Sequence, residues 1–311
     1  MGVLHVVHTG RVEMVGKAGK KSVRRVGERL IEIVLALSGN ISILILGGIC
    51  LLLVYQGLKA FEEVSIVQFL TTTRWNPTSY ENPGYGILSM VASTFFVTFG
   101  SMLLIVPLGI GVASYTSEFA PKRVRAILKP AVEMLAAIPS VVVGFIGITV
   151  TGPAIAKLFG LPNGLNALNG SILLAVMALP TAASLSEDAL RSVPREWRLA
   201  SLALGAGKWE TLVRVTLPAA MPGILAAMML AMGRAIGETM TVLMACGNAP
   251  AFPESFLAAV RPLTATIAIE LGEVPQGTAH FFSLFAVGLA LFVISFVVNL
   301  LADKLLRRKA A

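Results

Sequence analysis

Long apolar runs separated by short polar segments dominate the pattern of this chain. The runs occupy residues 33–55, 86–115, from about 130 onward, 171–186, 217–246 and 281–302. A helix of about 20 apolar residues crosses a hydrocarbon core of about 30 Å, and most of these runs reach that length. The pattern therefore predicts an all-α integral membrane protein with six transmembrane helices.

The polar segments between the runs predict how the chain is organised. The first run is too long for the core of a signal peptide and lacks an A-x-A cleavage site, so we expect it to be retained. Pro139 in the third run predicts a bend or break. The expected divisions are a basic tail at 1–30, a first transmembrane helix at 31–56, an extracytoplasmic segment at 57–85, a core membrane domain at 86–304 that contains a polar hairpin at 187–216, and a basic tail at 305–311.

Basic residues are unevenly distributed among the polar segments. Most of the 25 Lys and Arg residues lie in the two tails, in the turn 122–129 and in the hairpin 187–216. The segments 56–85, 151–170 and 247–280 hold few of them. Because basic loops stay on the cytoplasmic side of a membrane, this distribution predicts that both termini and the hairpin are cytoplasmic.

Composition and cysteine usage narrow the class of protein. Hydrophobic residues make up 56% and charged residues 14% of the 311, whereas charged residues are about a quarter of a soluble domain. The net charge of +8 belongs to the loops of a protein in a lipid bilayer, so we expect no nucleic-acid partner. Cys50 and Cys246 lie inside apolar runs, and His5, His8 and His280 are far apart, so neither a disulfide nor a metal site is expected.

The hairpin 187–216 is the long polar interruption between strongly apolar runs. Its pattern predicts two short amphipathic helices around the turn Gly205-Ala206-Gly207. This turn is not a phosphate-binding loop, because Leu202 and Trp209 stand where that motif has its first Gly and its Ser or Thr, so we expect no ATP or other cofactor on this chain. An ordinary loop with Trp side chains at the lipid interface is the alternative. The residues expected to contact a partner protein are Trp197, Ala200, Ser201, Leu204, Gly205 and Trp209.

Two charged residues lie inside the fifth apolar run. Arg234 and Glu238 are beyond the middle of a helix that begins near Leu217 and rises ~1.5 Å per residue. A charge at that depth costs about 2.5 to 3.5 kcal/mol, which is typical of a substrate pathway or a gate. Because the two are four residues apart, we expect them on one helical face and paired in the empty state. The predicted translocation site or gate comprises Arg234, Glu238, Thr239, Glu133 and Ser140.

Two structural interpretations of this stretch stay open. Arg234 and Glu238, with Glu133, can form a buried charge cluster that only locks the helix bundle. Such a pair would contribute little, because an Arg that precedes a Glu is the weaker order within a helix. Gly233 and Gly237 can also form a close-packing helix face of the G-x-x-x-G kind.

Short motifs in this chain resemble those of ABC importer permeases. The coupling loop of these permeases has the pattern E-A-A, three residues, G, nine residues and I-x-L-P, which is matched by Leu199-Ala200-Ser201, Gly205, Val215 and Leu217-Pro218. Leu199 stands in place of the Glu. A more specific resemblance, to the PstC-type membrane subunit of phosphate-specific ABC importers, rests on Trp75-Asn-Pro77, Pro107-Leu-Gly-Ile110, Glu133-Met-Leu-Ala-Ala-Ile-Pro-Ser-Val141 and Gly233-Arg-Ala-Ile-Gly-Glu-Thr-Met240.

The resemblance implies a type I importer permease fold and ATP-driven import of inorganic phosphate across a prokaryotic inner membrane. It further implies a heterodimer with a second homologous permease, a dimer of ATPase subunits that bind ATP and Mg²⁺, and an extracytoplasmic phosphate-binding protein. Arg234 and Glu238 match the intramembrane residues associated with transport in that family. The chain itself is not expected to be an enzyme. Import of sulfate or molybdate, or secondary anion transport without an ATPase, are the alternatives.

Overall fold

The computed structural model describes residues 18–79 and 81–310 of the chain. The chain divides into two compact units, Met1–Leu52 and Leu53–Ala311. The described part of the first unit is the N-terminal portion of helix α1 (Ala18–Lys59). Its apolar side chains from Ile31 onward are exposed, as expected for a single helix whose solvent is lipid. Residues 1–17 of the predicted basic tail lie outside the described residues.

Six helical spans in the described residues are long and apolar enough to cross a membrane. They are Ile31–Glu62, Leu88–Phe119, Ser140–Phe159, Ala167–Ser192, Lys208–Gly237 and Ala279–Leu301. The all-α architecture with six transmembrane helices is therefore confirmed.

The second unit consists of helices and one short β-hairpin. A 3-10 turn, Ala60–Glu62, follows α1, and the strands β1 (Trp75–Asn76) and β2 (Gly84–Tyr85) pair antiparallel with Trp75 opposite Tyr85. The helices are α2 (Ile66–Thr71), α3 (Leu88–Ser114), α4 (Lys122–Ala136), α5 (Ser140–Ile146), α6 (Gly152–Phe159), α7 (Ala167–Ser192), α8 (Arg195–Ala203), α9 (Lys208–Thr211), α10 (Leu217–Gly237), α11 (Met240–Ala245), α12 (Leu263–Glu270) and α13 (Ala279–Ala310). Three π-helical turns occupy Tyr115–Phe119, Gly147–Thr151 and Leu212–Thr216.

Helix α7 is the central element of this unit, since α3, α4, α10 and α11 all pack against it. Small residues permit the closest approaches. A Cβ placed on Gly100 would lie 2.5 Å from Ser171 Oγ, and one placed on Gly223 would lie 2.6 Å from the Cβ of Ala189. Helices in a membrane associate through such small-residue contacts, because lipid removes most of the hydrophobic driving force. The α7 core is therefore sensitive to added methyl groups.

The third span begins later than the sequence pattern indicates. α4 ends at Ala136, and Pro139 separates it from the span Ser140–Phe159. Proline donates no N–H and disfavours helical backbone in the residue before it, which explains the break. The π-helical turn Gly147–Thr151 then continues the helix into α6, so the helix extends into the segment 151–170 that was expected to lie outside.

The fifth apolar run is a broken helix. α10 ends at Gly237, and Glu238 has extended backbone angles of φ −69° and ψ 131°. α11 begins again at Met240. The helix therefore breaks directly after Glu238, its C-cap residue, and residues 235–237 between Arg234 and Glu238 are helical.

Candidate functional site

Two helix breaks meet inside the second unit. At the break before α5, the carbonyl oxygen of Ser140 accepts a hydrogen bond from Thr241 Oγ1 at 3.2 Å. At the break before α11, Glu238 Oε1 lies 3.4 Å from both the N–H and the Oγ1 of Thr241. The Glu238 carbonyl oxygen accepts a hydrogen bond from Thr264 Oγ1 at 2.8 Å. The structure thus brings the predicted residues Ser140 and Glu238 together through Thr241.

Close packing holds α5 against α11 at this point. A Cβ placed on Gly144 would lie 2.8 Å from Met244 Sδ and 3.2 Å from the carbonyl oxygen of Met240. Thr241 is fully buried, and its Oγ1 also lies 3.0 Å from Met177 Sδ on α7. The two breaks are therefore fixed to each other and to the central helix.

Helix N-termini at the breaks carry partial positive charge. The first N–H groups of the Ser140–Phe159 span have no carbonyl partner within the helix, and the macrodipole adds roughly half an elementary charge there. Discontinuous membrane helices use such ends to hold anionic groups. Ser140 and Glu238 are partly exposed and Met240 is exposed. This arrangement is suited to an anionic substrate.

Arg234 lies on an exposed part of α10, one turn before the helix ends. Among the side chains that the structure describes, neither Arg234 nor Glu238 belongs to an ion pair. The expected pair in the empty state is therefore not formed, and neither is the charge cluster with Glu133. The guanidinium of Arg234 is left accessible to an external partner.

The other residues of the same sequence word are also placed. Thr239 is the N-cap residue of α11 and is partly buried, and its Oγ1 donates to the Gly237 carbonyl oxygen at 3.4 Å. A Cβ placed on Gly233 would meet only the side chain of Asn299, at 3.5 Å, and one on Gly237 would meet nothing within 4 Å. The G-x-x-x-G close-packing face is therefore not formed within the described part of this chain.

Glu133 lies away from the two breaks. It is exposed on α4 and lines an open groove of about 380 Å³ together with Lys122, Arg125 and Lys129. In the described residues no ion pair or side-chain hydrogen bond connects it to Ser140 or Glu238. Glu133 is therefore not part of the contacts that join Ser140 and Glu238 through Thr241.

The predicted polar hairpin forms from helices α8 and α9. Its arms are joined by a 2.9 Å hydrogen bond between the hydroxyls of Ser201 and Thr211. Gly205 turns the chain with a φ of +88°. The hairpin is shorter than the predicted 187–216, because α7 continues to Ser192 and the π-helical turn after α9 leads directly into α10.

The apolar side chains of the hairpin are largely exposed, although the Trp209 ring lies 6.4 Å from that of Phe119. Leu204 is 90% exposed, Trp209 68% and Trp197 54%. Ala200 is also exposed, whereas Ser201 is partly buried because its hydroxyl faces Thr211. An exposed apolar helix face next to a membrane domain is typical of a docking surface.

A salt bridge that the sequence analysis did not identify attaches the hairpin to the helix bundle. Arg198 Nη2 lies 2.9 Å from Glu118 Oε1, and it donates a hydrogen bond to the carbonyl oxygen of Leu190 at 2.5 Å. Glu118 lies in the π-helical turn that ends α3. Both partners are separated by many residues in sequence, so spacing alone gives no signal for this contact.

A second cluster surrounds the buried carboxylate of Glu187 near the end of α7. Arg191 Nη2 lies 2.9 Å from it, Arg125 Nε 3.6 Å and Lys129 Nζ 4.0 Å. The Glu187 side chain is only 4% exposed. The sequence signal that could have predicted this cluster is an acidic residue at the end of an apolar run, together with a basic turn that is predicted on the same, cytoplasmic side.

A third cluster joins the segments on the opposite end of the unit. Glu270 accepts hydrogen bonds from Trp75 Nε1 and Arg261 Nη1, each at 2.9 Å, and His280 Nε2 lies 2.8 Å from it. These side chains line a cavity of about 430 Å³. His280 is thus part of a charge network, and the described residues contain no group of His, Cys, Asp or Glu that could hold a metal ion.

Comparisons with known proteins agree with this architecture. The model of the family described as "Binding-protein-dependent transport system inner membrane component" matches residues 105–311. The chain is 41% identical over 264 residues to the probable ABC transporter permease protein YqgH of Bacillus subtilis, covering 84% of this chain and 85% of that protein. It is 34% identical over 285 residues to the phosphate transport system permease protein PstC of Mesorhizobium japonicum, covering 86% of both.

Solved structures share the fold at low sequence identity. A chain of a bacterial ABC transporter involved in the import of alginate superimposes with a TM-score of 0.62 at 16% identity, covering 93% of this chain and 99% of that chain. A chain of the inward-facing MetNI methionine ABC transporter gives a TM-score of 0.55 at 21% identity, covering 72% and 94%. The fold is that of a type I ABC importer permease, and with the matching family model the chain belongs to the binding-protein-dependent transport system inner membrane components, as a multi-pass protein of the inner membrane.

Proposed function

We propose that this chain is the permease subunit of an ATP-driven importer of inorganic phosphate and forms half of the translocation pathway. The observation that carries the proposal is the meeting of two helix breaks beside Glu238, one turn beyond the unpaired guanidinium of Arg234 in the described part of the chain. Helix N-termini and a guanidinium both bind oxyanions. The similarity to PstC permeases over most of the chain favours phosphate as that oxyanion.

The proposed site distinguishes phosphate from sulfate by a hydrogen bond. A guanidinium holds a tetrahedral oxyanion through two parallel charge-assisted hydrogen bonds. Glu238 Oε1 has only long contacts to Thr241, at 3.4 Å, so it remains able to accept a stronger bond. Phosphate still carries a proton at neutral pH and can donate it, whereas sulfate carries none and is repelled by the carboxylate.

The proposed complex contains four further kinds of contact. The exposed hairpin side chains dock on a dimer of ATPase subunits that bind ATP and Mg²⁺, and this chain supplies no ATP site. A second homologous permease completes the pathway, an extracytoplasmic phosphate-binding protein delivers the anion, and lipid covers the outer helices. In support, the family name itself specifies transport that depends on a binding protein.

Anion-stimulated ATP hydrolysis tests the proposal. The complete complex, reconstituted in liposomes with its binding protein, is expected to hydrolyse ATP faster with phosphate than with sulfate or molybdate. Stimulation by sulfate or molybdate without a response to phosphate would assign the chain to another oxyanion. Purification of an active anion carrier without any ATPase subunit would instead support secondary transport, for which the exposed hairpin has no use.

A further inference from the structure

Helix α4 is attached to the rest of the unit by charged contacts and by apolar side chains that are only partly buried. The helix contains no buried residue. Its outward side chains include Ile127, 73% exposed, and Met134, 71% exposed. Beside the partly buried Val132, charged contacts to the bundle come from Arg125 and Lys129, which both reach Glu187 on α7. An element held in this way can shift without opening an apolar core.

Glu187 is the group on which these contacts converge. Its carboxylate is buried, and Arg191, one turn further along α7, holds it at 2.9 Å. A buried ion pair is seldom more stabilising than apolar packing, because desolvation offsets the attraction. The cluster is therefore poorly explained as a stability device, and a role in positioning α4 accounts for it better.

The position of α4 determines where the next helix begins. α4 ends at Ala136, three residues before the proline that starts the break. The first residue beyond the break is Ser140, whose carbonyl oxygen contacts Thr241 next to Glu238. A displacement of α4 relative to α7 therefore moves one side of the candidate translocation site.

The hairpin of α8 and α9, called the coupling hairpin from here on, is also connected to α4 and α7. Arg198 on the hairpin pairs with Glu118 in the π-helical turn after α3. In that same turn, the carbonyl oxygen of Ser117 accepts a hydrogen bond from Arg125 Nη2 at 3.1 Å. Arg125 also lies 3.6 Å from Glu187. The hairpin, the turn, α4 and α7 are thus joined by consecutive polar contacts.

We infer that Glu187 is a positioning residue that anchors α4 to α7, so that movement of the coupling hairpin reaches the helix break at Ser140. The inference rests on the proposed function for the identity of the hairpin's partner and of the transported anion. The anchoring itself does not depend on which anion is carried. Glu187 does not touch the anion and acts only through α4.

Matched variants separate anchoring from general damage. Glu187→Gln removes the buried charge, whereas Glu254→Gln removes an exposed carboxylate outside the cluster. Arg125→Gln removes one contact of the anchor, and Arg123→Gln changes an exposed residue of the same helix. Combining Glu187→Gln with Arg125→Gln removes both members of one pair, which avoids leaving that cation opposite a neutral amide.

The first readout is the ratio of phosphate uptake to ATP hydrolysis in the assembled complex. We expect Glu187→Gln and Arg125→Gln to lower this ratio by about tenfold, and the two controls to change it less than about twofold, as mutations along a coupling network do. The double variant should recover assembly but not the ratio. A double variant with the wild-type ratio would reduce Glu187 to a structural residue, as would equal losses in the controls.

The second readout is the position of α4. Spin labels at Ile127 and Leu158, which are 73% and 77% exposed, report the distance between α4 and the far end of α6 in a background without cysteine. In the wild-type complex this distance is expected to change on addition of ATP and Mg²⁺, and in Glu187→Gln to lose that response and broaden. An unaltered response in Glu187→Gln would overturn the inference. Failure of phosphate to stimulate the wild-type complex would refute the proposed function while leaving this distance test valid.

Discussion

Substitutions of Gly205 test whether the coupling hairpin docks on an ATPase. Two reasons for a glycine can be distinguished at this position: the backbone conformation and the space that a partner needs. Its φ of +88° is a left-handed conformation. A Cβ at this position would meet no atom of the described residues within 4 Å. Within the isolated subunit a side chain therefore costs only backbone strain. In the proposed complex it would also stand between the hairpin and the ATPase.

The strain term follows from the backbone angle. Left-handed backbone costs a residue with a Cβ about 1–2 kcal/mol, and Asn tolerates it better than other residues. With an unfolding entropy of about 2.1 cal/mol/K per residue, that cost lowers the melting temperature of a chain of 311 residues by about 1.5 to 3 °C. We therefore expect Gly205→Ala and Gly205→Glu to lower the melting temperature of the isolated permease by this amount, and Gly205→Asn by clearly less.

The effect on docking is measured as the amount of ATPase that copurifies with the permease. If the ATPase approaches the turn closely, Gly205→Asn should lose ATPase copurification although it folds nearly normally, and Gly205→Glu should lose it completely. Gly207→Ala is the matched control, since Gly207 has an ordinary φ of −72° and also has open space around it. Normal assembly and phosphate uptake by Gly205→Glu would refute docking at the turn. Equal melting temperatures for the Asn and Ala variants would refute the strain argument.

Four further predictions concern topology, the translocation site and the opposite end of the unit. A single cysteine at Glu210 should be protected from an impermeant reagent added outside intact cells, and labelling there would refute the cytoplasmic hairpin. Arg234→Lys should abolish phosphate uptake in assembled complexes, because an ammonium lacks the planar fork; wild-type uptake would reduce Arg234 to packing. Glu238→Gln should slow turnover and weaken the preference for phosphate over sulfate, and lost transport with unchanged preference would discard the selectivity argument. Trp75→Phe should lower the free energy of unfolding by about 1.5–3 kcal/mol, since it removes a hydrogen bond to the Glu270 carboxylate, and an unchanged melting temperature would contradict this.

The apolar pattern was sufficient to predict the number of transmembrane spans and the existence of the hairpin. Both signals are local: a run of about 20 apolar residues has few alternatives to a transmembrane helix. The break at Pro139 was also predictable, because proline acts through its own ring and missing donor. The predicted start of the third span was wrong, because α4 is amphipathic and its pattern resembles the beginning of the following span.

The break at Glu238 could not be read from the sequence. Gly237 weakens a helix only slightly, by about 1 kcal/mol relative to Ala, and no proline follows it. The backbone leaves the helix because tertiary contacts replace the lost bonds, chiefly the hydrogen bond from Thr264 to the Glu238 carbonyl oxygen. Glu187, Glu118 and Glu270 were missed for the same reason, as each finds its partners on other elements.

The broken helix changes the chemical role that spacing had given to Glu238. On a continuous helix its carboxylate would face Arg234 and be neutralised by it, and an incoming anion would have to compete for the guanidinium. In the structure the described side chains form no ion pair between the two groups: Glu238 Oε1 is directed at the first turn of α11, and Arg234 is exposed in the last turn of α10. In the proposed site, the Arg234 guanidinium can then attract the anion, while the Glu238 carboxylate accepts a hydrogen bond only from an anion that carries a proton. In the proposed mechanism, attraction and selection thus belong to two groups at the end of α10 that need not neutralise each other, because the break after Glu238 brings the first turn of α11 to its carboxylate.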